Sequence, residues 1–187
     1  MPIALKSFYM IRHGESEANV AGRFSGNSNV NLTQRGRMQA QEAGKIIEAL
    51  EIKPVSIVHS HLSRAIDTAA IINQSMNLPM YETPLLGEHH FGDWEGAPWD
   101  EIRPRFHAGE NPPNGETHDD FAERLKSGFN FALEKDGPVL IVCHGGVFRG
   151  FNYIYGKTMH GIENCKLYHF RADETAADFP WQIKLIG

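Results

Sequence analysis

The sequence predicts an α/β fold, a three-layer α/β/α arrangement around a mostly parallel central sheet. Three observations predict it. Three short, nearly continuous apolar runs have the length and the β-branched or aromatic content of strands buried on both faces. Stretches with helical apolar spacing alternate with them, which places helices on both sides of one sheet. The chain has 187 residues, the size of one ordinary domain.

The first apolar run is Leu5 to Ile11. After it, Thr33 is placed to cap a helix with an apolar face of Met38, Ala43, Ile46, Ile47 and Leu50. Val55 to His59 is the second strand, followed by a helical face of Leu62, Ala65, Ile66, Ala69 and Ile72. Residues 98–115 are rich in Pro, Gly and charge and read as a surface insertion or lid. Thr117 with Asp120 resembles a capping box, and the face behind it is Phe121, Leu125, Phe129 and Leu133. Gly137-Pro138 stops that helix before the third strand, Val139 to Cys143. Cys165 to Phe170 and Trp181 to Leu185 read as further strands at a sheet edge. Residues 1–187 are therefore expected to form a single domain with a lid-like insertion around 98–115.

Composition narrows the partners. The formal net charge is -5, from 18 basic and 23 acidic residues, so no nucleic-acid or membrane surface is expected. Two cysteines are too few for a disulfide framework and fit a reducing compartment. No signal-peptide pattern opens the chain and no apolar stretch nears the ~20 residues of a membrane span, so a cytoplasmic location is expected. Ten histidines raise the question of a metal. His59, His61, His89 and His90 lack a ligand spacing such as His-Glu-x-x-His, so neither a metal nor a cofactor is expected.

Ligands of doubly wound sheets sit beyond the carboxyl ends of the strands. The first strand ends in Arg12-His13-Gly14-Glu15-Ser16, with Asn19 close behind; the second leads through Ser60 to Arg64; the third ends in His144-Gly145-Gly146. Two arginines, two histidines and the amides of a helix N-terminus after Gly145 would make a pocket for a dianion. Guanidinium forks match phosphate oxygens, and a neutral imidazole can attack phosphorus. Phosphoryl transfer asks mainly for positioning and charge stabilisation, which two arginines can supply. A carboxyl must protonate the leaving oxygen and then activate water, and Glu88 is the best candidate.

With these motifs the chain resembles the histidine phosphatase superfamily, also called phosphoglycerate-mutase-like. The matching segments are Arg12 to Ser16, Ser60-x-Leu-x-Arg64-Ala-x-x-Thr68-Ala69, Glu88 with Phe91-Gly92-x-x-Glu95-Gly96, and His144-Gly145-Gly146, in family order over residues 12 to 146. The resemblance implies that His13 is phosphorylated, that Arg12, Arg64 and His144 clamp the phosphoryl group, and that Glu88 moves the proton. It further implies that Asn19 and the Gly145 amide add donors and that Ser25 and Gly26 approach the substrate, a small phosphorylated molecule. It says nothing of oligomeric state. Asn29-Val30-Asn31 and His59-Ser60-His61 depart from the family's usual acidic and Ser-Ser-Pro segments.

Other readings stay open at this level. Cys143 to Arg149 fits the Cys-x-x-Gly-x-x-Arg loop of cysteine-dependent phosphatases, though Gly150 replaces the usual hydroxyl residue. A phosphoglycerate-type mutase would return the phosphoryl group to substrate. A non-catalytic phospholigand module would keep the clamp without a competent acid. Arg103, Arg105 and His107 are either an exposed charge run or a surface that meets an acidic substrate. Trp94 and Trp99 read as packing residues.

Overall fold

A computed structural model describes residues 1–187. In chain order the elements are β1 (Phe8–Arg12), α1 (Glu17–Val20), α2 (Gln34–Glu48), β2 (Ser56–Ser60), α3 (Ser63–Ile72), β3 (Met80–Thr83), α4 (Trp99–His107), α5 (His118–Leu133), β4 (Val139–Cys143), α6 (Gly145–Tyr155), β5 (Leu167–Ala172) and β6 (Trp181–Ile186). The six strands form one sheet in the order β3-β2-β4-β1-β5-β6. The first four are parallel, and β5 and β6 continue the sheet antiparallel.

Period-two alternation along the strands divides the core. Phe8 and Met10 of β1 and Ile141 of β4 face α5 and α6, where they meet Phe121, Leu125, Phe129, Phe148 and Phe151. Tyr9 and Ile11 of β1, with Leu140 and Val142 of β4, face α2 and α3 and meet Ala40, Ala43, Ile47, Ala65, Ala69 and Ile72. The result is the expected three layers. The small residues on α2 and α3 bring those helices close to the sheet.

Several expectations shift in detail. The first strand begins at Phe8, because Leu5 is exposed and unpaired to the sheet. Met38 is 56% exposed, and Ala40 and Gly44 take the buried turns of α2 instead. On α3 the fully buried side chains include Arg64 and Thr68, while Ile66 is only half-buried. Strand β3 was not anticipated; its Met80–Thr83 segment buries only Thr83 and so carries no hydrophobic period.

The 98–115 segment carries a helix, α4, whose Ile102 and Phe106 pack with Phe24, Phe91 and Trp94 into a third, separate cluster. Trp94 is buried there, and Arg105 stacks on its ring while pairing with Glu110. No helix is long and apolar enough to cross a membrane.

Candidate active site

The carboxyl ends of β1, β2 and β4 open into a cavity of about 770 Å³. Its wall includes Arg12, His13, Asn19, Ser25, Arg64, Glu88 and Gly145. His144 stands just behind, its ring centroid 5.2 Å from that of His13. Gly26 does not line the cavity. Its carbonyl accepts a hydrogen bond from Arg64 Nη2 at 2.9 Å, so Gly26 acts on the site through the arginine.

His13 is held at the end of β1 by the chain on both sides. Its amide donates to the Cys143 carbonyl at 2.9 Å, which continues the β1–β4 ladder. The Gly14 amide donates to Thr68 Oγ1 at 3.0 Å. A Cβ on Gly14 would overlap the Gly36 carbonyl, so a glycine is required where this loop passes under α2. The ring is 3% exposed, and its Nδ1 lies 2.7 Å from the Gly14 carbonyl. A carbonyl can only accept, so Nδ1 carries the proton and donates, leaving the Nε2 lone pair free. Burial first, then the charges of Arg64 and Arg12, hold this imidazole well below its ordinary pKa. The ring is therefore neutral at pH 7 with its unprotonated nitrogen unpartnered.

The two arginines are anchored through their outer nitrogens. Arg64 donates to the carbonyls of Ser25, Gly26 and Ser28 at 2.8 to 2.9 Å. Arg12 donates to the Ile162 carbonyl at 2.9 Å. In both, the Nε atom is buried without a partner. Burial lowers the Arg64 pKa to about 10, with Glu88 and Glu95 working against it, so the charge persists at pH 7. His144 Nε2 lies 2.8 Å from Ser60 Oγ, its Nδ1 has no partner, and burial followed by the charge of Arg64 keeps it neutral too.

Asn19 caps the short α1 turn by reciprocal bonds with Ser16. Its Oδ1 accepts from the Ser16 amide at 3.1 Å and from Asn164 Nδ2 at 3.2 Å. Two donors on Oδ1 fix the amide's orientation, and Asn19 is part of the cavity wall. The Gly145 amide begins α6 and so has no intrahelical acceptor.

Glu88 sits on an irregular loop opposite this set. Its Oε1 accepts from the His89 amide at 2.9 Å and its Oε2 from the Gly146 amide at 3.0 Å. A Cβ on Gly146 would overlap Glu88 Oε1, so the second glycine of the His-Gly-Gly run is there to admit the carboxylate. Burial works to raise the Glu88 pKa, but Arg149, the two amides and Arg64 outweigh it and hold the net value below the ordinary one.

Some participants had weak or no sequence signals. Arg149 lines the cavity one turn beyond Gly145 on α6, although only the cysteine-loop pattern drew attention to it. Asn164 reaches the His13 carbonyl at 2.8 Å from a position 151 residues away, a contact no local pattern announces. Arg103 and His107 line the outer cavity and Arg105 does not. Trp99 lines it as well, under the Arg103 guanidinium. Cys143 lies on β4 in the core, outside the cavity wall, and burial raises its pKa well above the ordinary thiol value. A buried, protonated thiol facing the core is no nucleophile, and the cysteine-loop reading falls.

The sequence profile of the histidine phosphatase superfamily (branch 1) matches residues 8–178. A 6-phosphofructo-2-kinase/fructose-2,6-bisphosphatase of Aquarana catesbeiana is 30% identical over 94% of the chain, but the chain spans only 35% of that relative. A glucosyl-3-phosphoglycerate phosphatase of Mycobacterium tuberculosis is 32% identical over 74% of the chain and 70% of its own length. The crystal structure of a mycobacterial glucosyl-3-phosphoglycerate phosphatase complexed with VO3 superposes with a TM-score of 0.78 at 26% identity, covering 96% of this chain and 97% of the other.

Proposed function

The chain belongs to the histidine phosphatase superfamily, and from that premise we propose that it is a phosphatase, hydrolysing small phosphomonoesters through a phosphohistidine on His13. The observation that carries the reading is a concentration of unpartnered polar nitrogens. Arg12 Nε, Arg64 Nε and one nitrogen of His144 are buried without partners around a neutral imidazole whose Nε2 is free. Buried, unsatisfied donors are costly, and the oxygens of one phosphoryl group would satisfy them together.

The reaction follows in two balanced steps. His13 Nε2 attacks phosphorus, an N–P bond forms, and the P–O ester bond breaks as the Glu88 carboxyl gives its proton to the leaving oxygen. Water then attacks phosphorus, Glu88 takes the proton, and the N–P bond breaks to release inorganic phosphate and neutral His13. Arg12, Arg64, His144, Asn19 and the Gly145 amide stabilise the charge on the transferring group. Nearby positive charge and two amides favour the Glu88 carboxylate. A phosphoryl dianion placed beside it opposes those charges and favours its protonated form, or a monoanionic ester brings the proton in itself. Ser25, on the cavity wall beside Arg64, approaches the ester.

The leaving group is anionic in the same reading. Five of the chain's ten arginines line the cavity, Arg12, Arg23, Arg64, Arg103 and Arg149, and Glu88 is the one carboxylate in the wall. Two of the five serve the phosphoryl group. The remaining three, with His107 and His160, line the rest of the cavity. Esters of the phosphoglycerate type, the class named for the mycobacterial relative, carry the second negative charge such a wall attracts. α4 contributes Trp99, Arg103, Phe106 and His107 to this end of the wall.

Rapid quenching after mixing with a radiolabelled phosphodonor, with chelator present, tests the mechanism. Wild-type protein is expected to carry acid-labile label and to release free phosphate, and His13→Ala to carry none. Label on His13→Ala would overturn the assignment. Isomerised phosphoester without free phosphate would reassign the chain to a mutase.

A further inference from the structure

We propose that Arg124 and Glu116 form a clasp that positions Glu88 for proton transfer. Neither residue lines the cavity. The proposal rests on the phosphatase reading above, in which Glu88 is the acid.

Glu88 lies in residues 87–91, which belong to no helix or strand. No sheet ladder therefore fixes the loop's carbonyls, and another group must donate to them. That group is Arg124, on α5. Its Nη1 donates to the carbonyls of Leu85 at 3.0 Å and Gly87 at 3.2 Å, and its Nη2 to the carbonyl of Glu88 itself at 3.1 Å. The same guanidinium is held bidentately by Glu116, Nε to Oε1 and Nη2 to Oε2, each at 2.7 Å.

Glu116 then grips the other side of Glu88. Its carbonyl accepts from His89 Nε2 at 2.6 Å, and its amide donates to the His90 carbonyl at 2.9 Å. Arg124 thus holds the backbone from 85 to 88, and Glu116 holds 89 and 90. The pair is mostly shielded, with side-chain exposures of 22% and 14%. α5 comes close enough to do this because it carries Gly128 against the Leu85 carbonyl, where a Cβ would crowd the backbone.

The clasp uses the one property that separates arginine from lysine here. A planar fork can donate in several fixed directions at once, and an ammonium on a flexible stem cannot hold the same set of carbonyls. If Glu88 drifts from its productive position, the step that suffers is protonation of the leaving oxygen, while the phosphoryl clamp on the strand ends stays intact.

That distinction sets the test. kcat/KM reports events up to phosphorylation of His13, so water activation does not enter it. Two esters are compared: p-nitrophenyl phosphate, whose phenolate leaves with little help, and an alkyl phosphate, whose alkoxide must be protonated. Arg124→Met is expected to lower kcat/KM about 100-fold for the alkyl ester and less than about tenfold for the aryl ester. Glu116→Gln is expected to shift in the same direction by less. Arg124→Lys restores the charge and is expected to keep the selective loss.

Equal loss on both esters, with unfolding at lower temperature, would mean a purely structural role and would overturn the proposal. Should Arg124→Met not fold, the decision passes to Arg124→Lys in a Glu88→Gln background. There the lysine is expected to cost nothing further on the alkyl ester, because both changes act on one proton. Additive losses would overturn the clasp. A wild-type protein that turns over neither ester and forms no phosphohistidine would instead remove the phosphatase reading.

Discussion

At the inner end of the cavity, Arg12, His13, Arg64 and His144 stand at or just beyond the carboxyl ends of strands, and all but Arg12 are almost wholly buried. At the outer end, Arg23, Arg103, His107 and His160 are exposed, on loops and on α4. The inner side chains are tied to backbone carbonyls and neighbouring hydroxyls. Of the outer ones, Arg23 reaches one carbonyl, that of Gly96, and Arg103 rests on the Trp99 ring. On the proposed reading the inner end presents one geometry to one group, a phosphoryl. The outer end presents positive charge in adjustable positions, suited to reading a leaving group. α4 packs into a cluster separate from those on the two faces of the sheet.

Substitutions should separate the two ends. The largest effect is expected from Arg64→Met, which removes a proposed phosphoryl clamp and frees the carbonyls of residues 25, 26 and 28 together. Steady-state kinetics should show loss of activity on the order of 1,000-fold for every ester, since an inner-end residue does not discriminate among leaving groups. A loss confined to anionic esters would place Arg64 functionally with the outer wall.

Gly146→Ala comes next. The new methyl group would displace the Glu88 carboxylate and break its bond to the Gly146 amide. A loss of about 100-fold is expected for alkyl esters. Helix α6 should be no less stable, because alanine has the higher helix propensity. A crystal structure of the variant with Glu88 unmoved would refute the account.

A smaller, selective effect is expected at the outer end. The double change Arg23→Ala and Arg103→Ala should reduce the preference for a carboxylated aryl phosphate over the plain aryl phosphate by about tenfold. Turnover of the plain ester should stay near wild type. Equal loss on both would erase the contrast between the two ends.

The inner end also leaves a signature in acid. His13 and His144 are buried, and both are held well below 6.5 in the folded state. The unfolded chain binds protons on these rings near that value and the native state does not, so stability is constant above it and falls as pH drops below. Each ring contributes up to about 1.4 kcal/mol per pH unit. Urea unfolding at pH 7.5 and 5.5 should show the drop, and His144→Asn should lessen it. An unchanged drop in that variant would mean that other groups cause it.

The least effect on catalysis is expected for Cys143→Ser. The thiol is fully buried in the β4 core and is not part of the cavity wall. Placing a hydroxyl there should cost about 1–3 kcal/mol of stability, seen as a lower Tm, with kcat/KM retained. Loss of activity in a folded variant would revive the cysteine mechanism.

Arg12, His13 and His144 could be found before any coordinates because each adjoins an apolar run whose period marks a buried strand, and strand ends are where such sheets bind ligands. The helix caps at Thr33 and Thr117 were legible for a similar local reason, since a cap and its partner are three residues apart. Strand β3 was not, because an edge strand with one buried side chain has no hydrophobic period to read. Arg124 resembled any charged residue on a helix surface until its carbonyl partners, 36 to 39 residues earlier in the chain, came into place.

Residue order alone thus settled the layers of the fold and the chemical types gathered at its strand ends, because hydrophobic period and strand termini are properties of neighbouring residues. Folding had to decide which tautomer His13 adopts, where Glu88 rests, and that Arg149, Asn164 and the Arg124–Glu116 pair attend the site. Those features depend on distances between segments far apart in the chain, and only close packing of the three layers sets such distances.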